Sequence, residues 1–154
     1  NENLFKEATW VLTPTKNTNK NNLEKLVLFI ESIGAKPLIM DPDMHDISTS
    51  IISHLPHIIA ATLIELASEK DNDELKTSKL AAGSFADLTR IADSSPEIWR
   101  DICITNSIHL VETIDNFIAK LHYVKSALED NDSETIKKIF ENSKIAKSAF
   151  RGDK

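Results

Sequence analysis

The sequence predicts a mainly α protein: an all-helical domain preceded by a short strand–helix–strand segment. Three observations carry this. Glycine and proline are scarce, three and five in 154 residues, which favours helix over an all-β design. From Met44 onward apolar residues recur at helical spacing. Before Met44, two short apolar runs flank a single amphipathic helix.

Ala8–Leu12 reads as a strand closed by Thr13-Pro14-Thr15, and residues 17–22 read as a polar loop. Leu23, Leu26, Val27, Ile30 and Ile33 then keep helical spacing, with Asn22 as N-cap and Gly34 as C-cap. Pro37–Met40 reads as a second strand ending at Asp41-Pro42. Strand–helix–strand is the unit of α/β sheets, and one unit alone cannot bury both its faces. Either it packs on the helices that follow, or it is the tail of a domain that begins before Asn1. The second reading is the one we expect.

A helix is expected from Met44 to Lys70, stopping at Asp71-Asn72-Asp73. A second spans Glu74–Ala82, Gly83 breaks it, and Phe85–Ala92 resumes the pattern. Ser95, Pro96 and Glu97 form a helix start. One long helix follows to Leu128, with Ile98, Ile102, Leu110, Ile114, Phe117, Ile118, Leu121 and Val124 along it. Asn131-Asp132-Ser133 is a turn, and Glu134–Phe150 the last helix. An apolar stripe this long predicts a partner helix, with a second subunit as one source of it.

Composition excludes several classes. A net charge of -6 argues against a nucleic-acid surface. The single cysteine, Cys103, rules out a disulfide framework and a cysteine-rich zinc site, and suits a reducing cytoplasm. No apolar run is long enough to cross a bilayer and no signal peptide is visible, so no membrane partner is expected.

The chemistry concentrates in residues 41–57, DPDMHDISTSIISHLPH. Helical steps place Asp46, Ser50, Ser53 and His57 on one face, with His54 beside them. Ile47, Ile51, Ile52, Leu55 and Ile58 lie opposite and are expected to face a core. Pro56 should disturb the helix beside the histidines. His54 and His57, three apart, have a spacing that can grip a metal from one turn. They read equally as polar residues on a half-buried face, and without a third ligand at suitable spacing no metal is assigned. His45-Asp46 is similar to the pair of metal-dependent phosphohydrolases, with His109 and His122 as the remaining candidates; this is the runner-up. Arg90 carries a fixed cation whose fork matches a carboxylate. It either pairs with Asp87 on the same helix face, or is oriented by it toward an anionic substrate. Trp99 is either an anchor of its helix or the aromatic wall of a pocket.

ATWVLTPT, IGAKPLIMD, MHD, SHLPH, LAAGSFADLTRIADSSPEIWRDI and Asn106 occur in this order. Together they resemble the C-terminal half of prephenate dehydrogenases and the related arogenate dehydrogenases. The likeness covers nearly the whole chain, is strongest from His45 to Asn106, and fades after Phe117. It implies oxidative decarboxylation of prephenate to 4-hydroxyphenylpyruvate, with NAD or NADP as acceptor, in tyrosine biosynthesis. It also implies a homodimer. Residues 1–41 would be the end of a Rossmann-type nucleotide domain, and residues 42–154 the helical dimerisation and substrate-binding domain.

By this resemblance Arg90 holds a substrate carboxylate and His57 lines the pocket near the pyruvyl side chain. Ser53, His54, Asp87, Thr89 and Trp99 lie in or beside that pocket, and Asp46 supports it. The family's glycine-rich phosphate loop and the HPxxG motif with its catalytic histidine fall before Asn1. No catalytic and no cofactor-binding residue is therefore assigned within this chain, which is expected to be inactive alone. Ser84 replaces a usual glycine. Arogenate dehydrogenase and a non-catalytic helical interaction module are the alternatives.

Overall fold

The computed structural model describes residues 3–150; the outer limits of the two expected domains, 1 and 154, lie outside them. The chain divides into two compact units, residues 1–110 and 111–154.

The first unit opens with β1 (Thr9–Leu12), α1 (Lys20–Ser32) and β2 (Lys36–Ile39). The strands pair in parallel, Thr9 against Lys36 through Leu12 against Ile39. Asn19, not Asn22, caps α1: its Oδ1 accepts from Asn22 N–H at 3.1 Å. The same side-chain chemistry was available one turn earlier, and the helix took it. Gly34 follows the last turn with φ +81°, a left-handed conformation that glycine adopts without a Cβ penalty. Ile30 is fully buried and packs with Leu12 and Ala35, flanked by Trp10, Leu23, Val27 and Ile33. Leu38, Ile39, Leu28 and Phe29 remain about half exposed or more. A parallel sheet normally has both faces covered; these residues cover one.

The helices begin with α2 (Pro42–Thr49), a π-helical turn (Ser50–His54) and α3 (Leu55–Lys70), in continuous succession. Asp41 caps α2 by accepting from Asp43 N–H at 2.9 Å. The disturbance expected at Pro56 appears as the π turn just before it, where Leu55 N–H reaches back to Ser50 O. Two causes converge. Pro56 donates no backbone hydrogen bond and crowds the carbonyl four residues earlier. Ser48, Thr49 and Ser50 each bond back to a carbonyl three or four residues before, at 2.7–2.9 Å, which loosens a helix. By length and composition alone, the run Pro42–Lys70 is apolar enough to cross a bilayer, with a window of mean hydropathy 1.5.

Three other expectations change. The helix expected over Glu74–Ala82 is only α4 (Thr77–Leu80). Asn72 Oδ1 takes the N–H groups of Glu74 and Leu75 at 2.9 Å, and Lys76 adopts φ 48°, so the first turn is lost to side-chain bonding. Gly83 opens α5 (Gly83–Thr89) rather than ending a helix, and a 3₁₀ turn (Arg90–Ala92) follows. The long helix is two: α6 (Pro96–Thr105) and α7 (Ser107–Glu129), parted at Asn106 with φ -106° and ψ 28°.

Ser95 caps α6 as expected, with Pro96 in the first turn. Its Oγ accepts from Ile98 N–H at 3.4 Å and donates to Glu97 Oε2 at 2.9 Å. Replacing Ser95 with alanine is expected to cost about 1 kcal/mol of stability. A urea midpoint that does not move would show that Pro96 alone sets this helix start.

The second unit holds the remainder of α7, then α8 (Ser133–Lys147) and a 3₁₀ turn (Ser148–Phe150). Asn131 turns the chain with φ 52°, and Asp132 N–H closes on Ala127 O at 2.8 Å. Asp132 caps α8 through Thr135 N–H and Oγ1. Phe140 and Ile145 are each 71% exposed.

The greasy face expected to meet a core does so only in part: Leu55 is buried and Ile47 and Ile58 are half-buried. Ile51 and Ile52 are 53% and 65% exposed, while Ser50 on the polar face is fully buried. A π turn carries one extra residue, and each residue turns a helix by about 100°, so the faces rotate by about that much beyond Thr49.

Candidate functional site

The site grows from the π turn and α6. The extra residue brings His54, rather than Ser53, into line with Asp46. Asn106, where α6 ends, joins them: its Nδ2 donates to Asp46 O at 2.8 Å and lies 3.1 Å from His54 Nδ1. His45 Nδ1 lies 2.9 Å from Asp46 Oδ1. His109 Nε2 meets Asp43 Oδ1 at 3.1 Å, tying the start of α7 to the start of α2.

Trp99, one turn into α6, stands between the histidines. His57 stacks on its indole with ring centroids 3.6 Å apart and planes 22° apart. His54 meets it edge-on at 6.2 Å and 79°. His57 Nδ1 is 2.9 Å from Ser53 O. A carbonyl only accepts, so Nδ1 carries a proton, and the neutral ring keeps a free lone pair on Nε2.

Two cavities flank this arrangement. One of about 410 Å³ is lined by His45, Asp46, Thr49, His54, Asp101 and Asn106 among others. The other, about 480 Å³, is lined by His57, Trp99, Glu65, Arg100, Cys103 and Ser94 among others. Arg100 is already engaged, since Asp101 Oδ1 takes its Nη2 at 2.7 Å and its Nε at 2.8 Å.

Burial holds the His54 pKa below 6.5, opposed by the Asp46 charge and assisted by His45 and His57. The sign follows from linkage. A histidine that resists protonation when folded gives stability that is complete above its unfolded value. That stability is lost as pH falls toward the folded value.

The structure thus brings together Asp46, His54, His57 and Trp99 of the expected site residues. Ser53 contributes its carbonyl to His57. Thr89 is buried, with its Oγ1 donating to Phe85 O at 2.7 Å. Arg90 and Asp87 are exposed on α5 and its end and line neither cavity. Among the described residues they form no ion pair with each other. No group of three or more His, Cys, Asp or Glu side chains converges on a metal position among the described residues. Sequence reasoning gave no role to Arg100, placed His45 only in the runner-up metal reading, and counted Asn106 only among the residues that carry the resemblance. A poor helix former in the middle of a helical pattern was the available signal for Asn106.

The family model for the prephenate dehydrogenase dimerization domain matches residues 41–142. Prephenate dehydrogenase of Bacillus subtilis is 36% identical over 93% of this chain and 38% of its own length. Cyclohexadienyl dehydrogenase of Zymomonas mobilis is 32% identical over 97% of this chain and 52% of its own. The crystal structure of Aquifex aeolicus prephenate dehydrogenase with hydroxyphenyl propionate and NAD+ superposes with a TM-score of 0.88. It is 31% identical, over 96% of this chain and 52% of that one. The chain therefore spans about half, or less, of the length of these relatives.

Proposed function

The chain belongs to the prephenate dehydrogenase family, and from that premise we propose that it supplies the substrate-binding and dimerisation half of such an enzyme. The reaction is oxidative decarboxylation of prephenate to 4-hydroxyphenylpyruvate, in tyrosine biosynthesis in the cytoplasm. NAD or NADP takes up the hydride when bound. The family match over residues 41–142 carries this reading.

The residues present do not fit the nucleotide. The three glycines, Gly34, Gly83 and Gly152, stand too far apart in the sequence to make a glycine-rich phosphate loop. Dinucleotide binding is assigned to a domain completed by further chain, with residues 1–41 as its last strand–helix–strand and residues 42–154 as the helical domain. The half-covered parallel sheet supports that division.

What this chain offers is a place for the substrate. Prephenate is a dianion with an unsaturated ring. Losing carbon dioxide restores aromaticity, so the protein must chiefly orient the ring and hold the carboxylates. The His57–Trp99 stack gives a flat wall with a polar edge. The family resemblance assigns Arg90 to a substrate carboxylate, and its having no ion pair among the described residues, unlike Arg100, is consistent with that role. Ser53, Thr89 and Asp87 shape or orient the same site, and Asp46 holds its frame. Arogenate, with an amine on the side chain, is the competing substrate.

The test is turnover by the full-length protein, followed as absorbance of reduced nucleotide with NAD and with NADP. Prephenate-dependent reduction is expected. Reduction with arogenate alone would move the assignment to arogenate dehydrogenase. Silence with both substrates and both nucleotides would overturn the reading in favour of a helical interaction module.

A further inference from the structure

Asn106 is 7% exposed and sits where the helix breaks between α6 and α7. Its Nδ2 is 2.8 Å from Asp46 O. The reversed amide would set two oxygens against each other at that distance, so the orientation is forced. The second Nδ2 hydrogen then points to His54 Nδ1, 3.1 Å away. A donor requires an acceptor, so Nδ1 presents its lone pair, and a neutral imidazole in this state carries its proton on Nε2. The arrangement leaves Asn106 Oδ1 buried without a partner among the described residues. An orphaned buried acceptor is a desolvation penalty that an apolar residue of similar size would avoid.

We propose that Asn106 is a positioning residue that holds His54 as the neutral Nε2–H tautomer, so that the ring presents a hydrogen-bond donor to the cavity it lines. His57, fixed by Ser53 O, is the opposite tautomer and presents an acceptor. The two rings on either side of Trp99 are thus set as one donor and one acceptor, one by a side chain and one by the backbone. The charged and titratable groups facing His54 are Asp46, His45 and His57 from its own helical run, and Asp101 from α6. With two carboxylates in the cavity lining, the partner of the Nε2–H is a hydroxyl or carbonyl oxygen of the substrate, not a carboxylate. This last step rests on the proposed function; the tautomer does not.

The test is ¹⁵N NMR of the full-length protein labelled at histidine. At about pH 8, where free imidazole is neutral, His54 is expected to show a protonated Nε2 and a bare Nδ1, and His57 the reverse. His54 with its proton on Nδ1 overturns the proposal without any variant. In Asn106→Asp the carboxylate would accept from Nδ1–H, so the tautomer is expected to reverse and the His54 pKa to rise by roughly one unit or more. In Asn106→Leu, which adds no charge, the preference is expected to collapse to a mixture. Retention of the wild-type pattern in a folded variant of either kind overturns the role of Asn106.

Kinetics separate positioning from mere packing. Glutamine places an amide N–H near the Nε2 position and asparagine near Nδ1, so His54→Gln should keep at least tenfold more kcat/KM than His54→Asn. Equal losses would overturn delivery of the donor to the substrate. Because the NMR spectrum is read without substrate, an inactive protein with the expected tautomers would sink only the enzymatic reading.

Discussion

In the full-length protein, Arg90→Ala is expected to raise KM for prephenate by on the order of a hundredfold, with a much smaller change in kcat. Truncating one partner of a hydrogen-bonded charge pair costs about 2–5 kcal/mol. Arg90 is exposed at the end of α5, so the lower half of that range applies, and about 2.7 kcal/mol is two decades. A carboxylate held equally in substrate and transition state gives uniform binding, which appears in KM. Arg90→Lys keeps the charge without the two-pronged fork and should recover only part of the affinity. The fold should be untouched, since no ion pair among the described residues involves Arg90. Steady-state kinetics beside a thermal melt settle the matter. An unchanged KM at full stability would return Arg90 to an ordinary surface residue, and the substrate's carboxylates would need another cation.

What the sequence revealed and what it hid divide along the reach of the interactions. The start of α6 was legible because Ser95 and Pro96 act on their own next turn. The stop at Gly34 was legible because its φ of +81° is a local demand. The break at Asn106 was not legible, since what stabilises it is Asp46 and His54, 60 and 52 residues away. The π turn was half legible. Pro56 announced a disturbance, but its form depended on three hydroxyls bonding back into α2. That form decides the site, because the extra residue puts His54 rather than Ser53 against Asp46. Arg90 and Asp87 are a different case. Their helical spacing suggested a pair, yet no ion pair joins them among the described residues. This suits residues whose partners arrive with substrate or another polypeptide segment.

The exposed isoleucines of the Pro42–Lys70 run lead to the second large effect. Ile51→Glu with Ile52→Glu should convert a full-length dimer to monomers at micromolar concentration, read by sedimentation velocity. Ile51, Ile52, Ile64 and Leu66 are 53%, 65%, 39% and 52% exposed, and Ile108 in the first turn of α7 is 82% exposed. A soluble protein rarely leaves so many large apolar side chains bare unless something covers them. A run of 29 residues that is apolar enough for a membrane, with 11% of its most apolar window buried, is better explained by a second copy than by lipid. It carries Asp46, His54 and His57 and borders the proposed substrate site, a poor fit to hydrocarbon. Burying one isoleucine contributes about 1.5–3 kcal/mol, and a twofold interface counts each substitution twice. Placing carboxylates there adds their desolvation. The dissociation constant should therefore rise at least a thousandfold. The same substitutions lie on exposed positions of the single chain, so helical content should persist in the monomer. A variant that sediments as a dimer would show that this face is covered by the remainder of its own chain. The interface would then have to be built from other apolar positions, Val111, Ile118 and Leu121 of α7 or Phe140 and Ile145 of α8, which are all exposed as well.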